Sequence, residues 1–147
     1  MKLNKSTIEE ISRHALETYP GECCGIVTGD SDRQSVHLCR NIQDRLHAED
    51  SGKYPRDART AYAIERSEAG KIFAEAKEQD KSVIAFYHSH VEHDAYFSDM
   101  DKEVQSVFGE PEFPEALQVV ISVKVRKIND IKYFRWDKDK KDFILQE

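Results

Sequence analysis

The longest unbroken apolar run in the chain is Val-Ile-Ala-Phe-Tyr at residues 83–87, and it is only five residues long. A short run without alternation is typical of a strand that is buried on both faces, at the centre of a sheet. The same shortness excludes a membrane-spanning helix, which needs about 20 apolar residues. The run therefore predicts a fold built around an internal strand over residues 82–87.

Helical patterns precede and follow this strand. Apolar residues at helical spacing predict a first helix that begins with a capping box of Ser6 and Glu9 and ends at Pro20. A second helix is predicted to begin at Ser67, and a third is predicted to run from Ser98 to residue 107.

Strand patterns and a long polar segment account for the rest of the chain. Further strands are predicted over residues 24–28, 36–39, 62–64, 117–125, 131–136 and 143–145. A hairpin turn is expected at Asn129-Asp130, and residues 43–58, which are polar and aperiodic, are expected to form a surface loop. This order predicts an α/β fold, with a mixed central β-sheet flanked by helices.

Size, charge and cysteine content narrow the class of protein. The length of 147 residues predicts a single domain over 1–147, large enough to bury a core without disulfides or a structural metal. A net charge of −6 argues against a nucleic-acid partner. Of three cysteines, Cys23 and Cys24 are adjacent, which is no disulfide framework and indicates a reducing, cytoplasmic location. The N-terminus lacks the apolar stretch of a signal peptide.

Histidines at the end of the predicted central strand are the first candidates for chemistry. His88 and His90 lie two positions apart, so both side chains point to one face, about 7 Å apart along the strand. Alone, such a pair is weak evidence for a metal. Ser98 and Asp101 complete the pattern His-x-His-x7-Ser-x2-Asp, and they also fit a helical capping box that would bring Asp101 beside the strand end.

This pattern resembles the signature of the JAMM, or MPN-plus, zinc metalloprotease family. The resemblance includes Glu22 in the block Pro-Gly-Glu-Cys-Cys-Gly at residues 20–25, and it extends over essentially the whole chain. It implies an α/β sandwich similar to that of cytidine deaminases. Val91 and Phe97 occupy positions where many relatives have proline. Neither position supplies a ligand, so these departures bear on loop rigidity and substrate preference.

The resemblance also implies a set of residue roles. His88, His90 and Asp101 would hold one Zn²⁺ per chain and leave the fourth position open for water, as in catalytic zinc sites. Glu22 would activate the zinc-bound water and return the proton to the departing amine. Ser98 would help to hold the oxyanion, a contribution of about 10²–10³ in rate.

The family resemblance further implies a substrate class. The chain resembles the short prokaryotic members, so we expect it to hydrolyse the peptide or isopeptide bond after the C-terminal Gly-Gly of a ubiquitin-like or sulfur-carrier protein. Such a tail would bind in an extended conformation, by strand addition. Residues 43–58 and 91–97 are candidates for substrate contact. The identity of the carrier and the oligomeric state are left open.

Three alternatives compete with this interpretation. A non-catalytic MPN scaffold is disfavoured, because such relatives usually lose the metal ligands. A nucleobase deaminase would need a Cys-x-x-Cys motif, which the chain lacks. A zinc amidase that acts on a small adduct or peptide would use the same residues and stays open.

Overall fold

The computed structural model describes residues 2–107 and 109–146, which form two sheets and several helices. The helices are α1 Lys5–Thr18, α2 Gln43–Glu49, α3 Arg66–Glu78 and α4 Asp99–Val104. The strands are β1 Cys24–Gly29, β2 Gln34–Cys39, β3 Ser82–Val91, β4 Ser106–Val107, β5 Glu110–Pro111, β6 Leu117–Lys124, β7 Lys127–Asp137 and β8 Asp142–Gln146. None of these helices is both long enough and apolar enough to cross a membrane.

The main sheet has six strands in the order β2-β1-β3-β6-β7-β8. Strands β3 and β6 are parallel, and the other neighbours are antiparallel. The predicted α/β class with a mixed central sheet is therefore confirmed. Strand β3 is internal, as its apolar run predicts, and it extends to Val91, so that both histidines of the motif belong to it.

Helices cover opposite faces of this sheet. Ile11 and Ala15 of α1 pack on the face that carries Tyr87, whereas Ile72 of α3 packs on the opposite face against Phe86. Adjacent residues of a strand point to opposite faces, so the face of Phe86 is also the face of His88 and His90. The face of the sheet that α3 covers is therefore the face that carries the histidine pair.

The first helix does not begin as the sequence predicts. Its N-cap is Asn4, without a side-chain capping bond, so Ser6 and Glu9 form no capping box. The Gln34 side chain decides this boundary, because its Oε1 accepts from the Asn4 N–H and from the Thr7 hydroxyl, each at 2.8 Å. A tertiary contact with β2 thus replaces the local cap.

The prediction of a loop over residues 43–58 is wrong for its first half, which forms α2. This helix has little apolar surface, and its polar side chains bind the backbone that follows it. Gln43 Nε2 donates to the Arg56 carbonyl at 2.9 Å, and Asp44 Oδ1 accepts from the Ala58 N–H at 2.7 Å. Because these contacts are polar, the helix leaves no apolar period in the sequence.

Other boundaries differ from the sequence prediction in four places. The hairpin between β6 and β7 turns at Val125 and Arg126, both with positive φ, and not at Asn129-Asp130. The helix predicted from Ser98 to residue 107 is α4, which ends at Val104. The chain after it forms β4, which pairs with β5. Residues 62–64 form only an isolated bridge from Ile64 to Asn41. The helix predicted to begin at Ser67 is α3, whose N-cap is Glu65, so Ser67 lies inside the helix.

Candidate metal centre and active site

Three ligand-type side chains converge at the end of β3. His88 and His90 come from the strand, and Asp101 comes from the first turn of α4. The two Nε2 atoms are 3.3 Å apart, and Asp101 Oδ2 lies 3.1 Å from His88 Nε2 and 3.4 Å from His90 Nε2. All three residues are buried.

This triangle fits one face of a zinc coordination tetrahedron. Bonds of 2.0–2.1 Å at tetrahedral angles place neighbouring ligand atoms about 3.3 Å apart. The observed separations of 3.1, 3.3 and 3.4 Å agree with that spacing. Among the residues that the structure describes, these three form the one such group of histidine, cysteine and acid side chains. The residues present therefore fit a metal with a fourth, open position.

The orientation of His90 is set by the backbone that follows β3. His90 Nδ1 lies 2.9 Å from the Asp94 carbonyl, which leaves Nε2 facing the other ligands. The buried Ser122 hydroxyl donates to the His93 carbonyl at 2.5 Å, and Lys124 pairs with Asp94 at 2.6 Å. The start of the segment 91–97 is thus fastened to the end of β6.

The protonation states at the cluster suit metal binding. Burial lowers the pKa of His88, although the neighbouring Asp101 opposes this shift. Burial alone would raise the pKa of Asp101, but hydrogen bonds from His88 and His90 outweigh it and hold that pKa below its usual range. A neutral imidazole and an ionised carboxylate are the forms that coordinate a cation.

Ser98 is the N-cap of α4 and fixes Asp101. Its Oγ accepts from the Asp101 N–H at 3.1 Å, and its own N–H donates to Asp101 Oδ2 at 2.9 Å. This reciprocal pair is the capping box that the sequence predicts, and it brings the carboxylate to both histidines. Accepting a bond through a lone pair leaves the Ser98 hydroxyl proton able to donate.

Glu22 lies on the same face of the sheet as the histidines. Cys24 pairs directly with His88, so the side chain two positions earlier points to the same side and lies near His90. Glu22 is only 5% exposed. Burial first, and then the charge of Asp101, raise its pKa to about 9, whereas Arg56 lowers it.

The backbone of Glu22 is held from both sides. Its N–H donates to the Ala58 carbonyl at 2.6 Å, and its carbonyl accepts from Asn41 Nδ2 at 2.9 Å.

The ring of Tyr62 stacks on His88 with centroids 4.5 Å apart. Sequence reasoning missed Asn41, Tyr62 and Ser122 in these supporting roles. No local pattern marks them, because each acts through a distant contact.

Ser89 and the two adjacent cysteines are not among the three clustered side chains. Ser89 points to the opposite face, where its Oγ accepts from the Cys23 N–H at 2.8 Å. Cys23 and Cys24 are free and buried, and burial raises the pKa of the Cys23 thiol to about 12. A reactive thiolate needs a lowered pKa, so these cysteines are core residues.

The family assignment follows from the sequence match. The family of prokaryotic homologs of the JAB domain matches residues 4–137. The chain belongs to this family. The resemblance seen in the sequence is therefore confirmed, and the ligand cluster lies inside the matched region.

Two curated proteins are similar to this chain in sequence. A protein named desampylase from Haloferax volcanii is 29% identical over 99 residues, which cover 65% of this chain and 65% of that protein. The CysO-cysteine peptidase of Mycobacterium tuberculosis is 24% identical over 124 residues, 83% of this chain and 73% of that protein. The chain thus spans about two thirds of the length of the desampylase.

Two solved structures share the fold. The solution structure of protein DSY2949 from Desulfitobacterium hafniense superposes with a TM-score of 0.69 at 21% identity, over 98% of this chain and 88% of that one. A protein from Salinibacter ruber superposes with a TM-score of 0.62 at 24% identity, over 100% and 89%. At such identities the likeness concerns the fold alone.

Proposed function

We propose that the protein is a zinc-dependent peptidase or isopeptidase. Its substrate would be a ubiquitin-like or sulfur-carrier protein, cleaved after the C-terminal Gly-Gly. The observation that carries this proposal is the triangle of His88, His90 and Asp101 at tetrahedral spacing, with the buried Glu22 on the same face. The names of the two curated relatives support a hydrolase of this kind.

His88, His90 and Asp101 would hold one Zn²⁺. When bound, zinc would polarise the scissile carbonyl and lower the pKa of a water molecule. The three residues themselves contribute a buried set of ligand atoms. The capping box with Ser98 holds Asp101 in place, and the Asp94 carbonyl orients His90.

Glu22 would move the proton. A carboxyl group with a raised pKa can hold a proton near neutral pH and deliver it to a departing amine. A cation nearby favours the ionised form, so the same group could first accept that proton. Ser98, whose Oγ lies 3.1 Å from the backbone nitrogen of Asp101, would donate its hydroxyl proton to the oxyanion.

Two segments would contact the substrate. The carbonyl of Ala58, the last residue of the segment 43–58, accepts from the Glu22 N–H, so the end of that segment lies at the site. In the segment 91–97, Tyr96 is 51% exposed and its ring packs on His90 with centroids 4.7 Å apart. Both places could receive an extended tail.

A zinc amidase that releases a single amino acid from a carrier is the second candidate. The relative named CysO-cysteine peptidase favours it. We also propose that the protein acts in the cytoplasm, where its three free cysteines would stay reduced.

Metal analysis and a cleavage assay test the proposal. Purified protein should contain about one zinc per chain, and it should cleave a ubiquitin-like protein extended beyond Gly-Gly. A chelator should stop cleavage, and added zinc should restore it. Glu22→Gln should keep the metal and lose cleavage, whereas His88→Ala combined with Asp101→Ala should lose the metal.

Three results would contradict parts of this scheme. Cleavage by Glu22→Gln at the wild-type rate would remove Glu22 from the chemistry. Unchanged zinc content in the double variant would place the metal elsewhere. A zinc-loaded protein that binds a carrier without cleaving it would support the scaffold alternative.

A further inference from the structure

The side-chain amide of Asn41, just after β2, makes four hydrogen bonds to the backbone. Its Nδ2 donates to the Glu22 carbonyl at 2.9 Å and to the Ala61 carbonyl at 3.1 Å. Its Oδ1 accepts from the Gln43 N–H at 3.0 Å and from the Ala63 N–H at 3.1 Å. A primary amide has two N–H donors and two lone pairs, so this side chain uses its whole hydrogen-bonding capacity.

Two hydrogen bonds of the Glu22 backbone lead to Asn41. The Glu22 carbonyl accepts directly from the Asn41 amide. The Glu22 N–H donates to the Ala58 carbonyl at 2.6 Å, and the Ala58 N–H donates to Asp44 Oδ1 at 2.7 Å. Asp44 is the second residue of α2, and the first, Gln43, is bonded through its N–H to Asn41. Asn41 therefore holds Glu22 both directly and through the start of α2.

The same amide holds Tyr62, which packs on a proposed ligand. The Ala61 carbonyl and the Ala63 N–H belong to the two peptide groups on either side of Tyr62, and both are bonded to Asn41. The buried ring of Tyr62 stacks on His88 with centroids 4.5 Å apart. One side chain thus joins the backbone of the proposed proton carrier to the residue that covers His88.

We propose that Asn41 is a positioning residue that fixes the distance between the Glu22 carboxyl and the bound metal. This inference rests on the proposed function and adds to it the residue that sets the place of the proton carrier. Asn41 acts through other residues, because it reaches Glu22 through a carbonyl and His88 through the ring of Tyr62. The distance matters because a displacement of about 1 Å can lower a rate about 100-fold.

Two substitutions at Asn41 separate its donors from its acceptors. Asn41→Asp keeps an acceptor for the Gln43 and Ala63 N–H groups, but an ionised carboxylate has no N–H for the carbonyls of Glu22 and Ala61. Asn41→Leu removes all four bonds without adding a charge. If Asn41→Leu does not fold, Asn41→Asp, which keeps the bond at the start of α2, provides the test.

Thr28→Val is the matched control. Thr28 is a buried residue near the other end of β1, and its Oγ1 lies 2.8 Å from His37 Nε2. The substitution removes a side-chain hydrogen bond from the same strand without touching the bonds of Asn41. Its loss of stability, measured by thermal unfolding, provides the reference for a variant that is only destabilised.

Cobalt(II) measures the distance without any cleavage. The proteins are labelled with ¹³C at the glutamate carboxyl carbon, the Glu22 signal is assigned by its loss in Glu22→Gln, and Co²⁺ is added. The relaxation of this carbon by the paramagnetic ion falls steeply with their separation. Wild type and Thr28→Val should give equal rates, whereas a displacement of about 1 Å in the Asn41 variants should lower the rate about 2-fold or more. All four proteins should hold about one Co²⁺ per chain.

Cleavage provides the second measurement. In the zinc-loaded Asn41 variants kcat should fall about 100-fold while KM changes much less, and Thr28→Val should keep the wild-type kcat. An unchanged relaxation rate in a folded Asn41 variant overturns the inference, and so does an equal fall in Thr28→Val. If wild type cleaves no ubiquitin-like substrate, the proposed function fails, but the cobalt measurement still decides whether Asn41 sets the place of Glu22.

Discussion

Glu22→Gln is expected to stabilise the metal-free protein at neutral pH, although it removes the proposed proton carrier. Burial, followed by the charge of Asp101, raises the pKa of Glu22 from 4.5 to about 9. The folded protein therefore keeps a proton that the unfolded chain releases above pH 4.5, and stability falls as pH rises from 4.5 toward 9. At about 1.4 kcal/mol per pH unit, the penalty at pH 7 is about 3 kcal/mol.

Urea unfolding with a chelator at pH 5 and pH 7 measures this penalty. The difference in unfolding free energy between Glu22→Gln and wild type should grow by about 2–3 kcal/mol between the two pH values. Glu75→Gln, on the exposed side of α3, is the matched control and should show no such growth. A Glu22→Gln difference that stays constant from pH 5 to pH 7 would refute the assignment of Glu22 as a buried acid with a raised pKa.

Substitutions at four further positions probe the fold and the surroundings of the site. Ser122→Ala should weaken zinc affinity about 10-fold in competition with a chromophoric chelator, because it releases the segment that orients His90, and Ser122→Thr should restore it. Gly25→Ala would place a Cβ 2.3 Å from the buried ring of Tyr87 and should cost about 2 kcal/mol in urea unfolding, whereas Gly70→Ala, with open space around it in α3, should stabilise by about 0.5–1 kcal/mol. Ser98→Ala should cost about 1 kcal/mol of stability by removing the N-cap bond, and Ser98→Thr should keep it. Equal stability of the two glycine variants, or unchanged zinc affinity in Ser122→Ala, would contradict the contacts described above.

Local signals predicted the parts of the fold that lead to the site. The apolar run before His88 marks a strand that is covered on both faces, and the structure places it inside the sheet. The spacing of Ser98 and Asp101 marks a helix start, and the structure has that capping box. Both signals are short in range and agree with the tertiary contacts around them, whereas the equally local pattern of Ser6 and Glu9 is replaced by the contacts that Gln34 makes with α1.

Contacts between distant segments decided the elements that were predicted wrongly. Helix α2 exists because its polar side chains bind the backbone at Arg56 and Ala58, which a hydrophobic period cannot indicate. The β6–β7 turn lies at Val125 and Arg126, where Arg126 packs over the ring of Tyr19 at 5.1 Å. Neither residue type favours positive φ, so the turn is set by tertiary contacts.

The sequence by itself determined the residue types of the site and their spacing, and these were sufficient to indicate the family, the mixed sheet and the expected metal ligands. The division into one domain and the residue roles stay predictions. Only the tertiary structure decided that three ligand atoms meet at tetrahedral spacing and that Glu22 is buried on the same face of the sheet. Burial and electrostatic distance depend on how β1, β3, α4 and the segment 56–59 pack together, and no local pattern of residues records that packing.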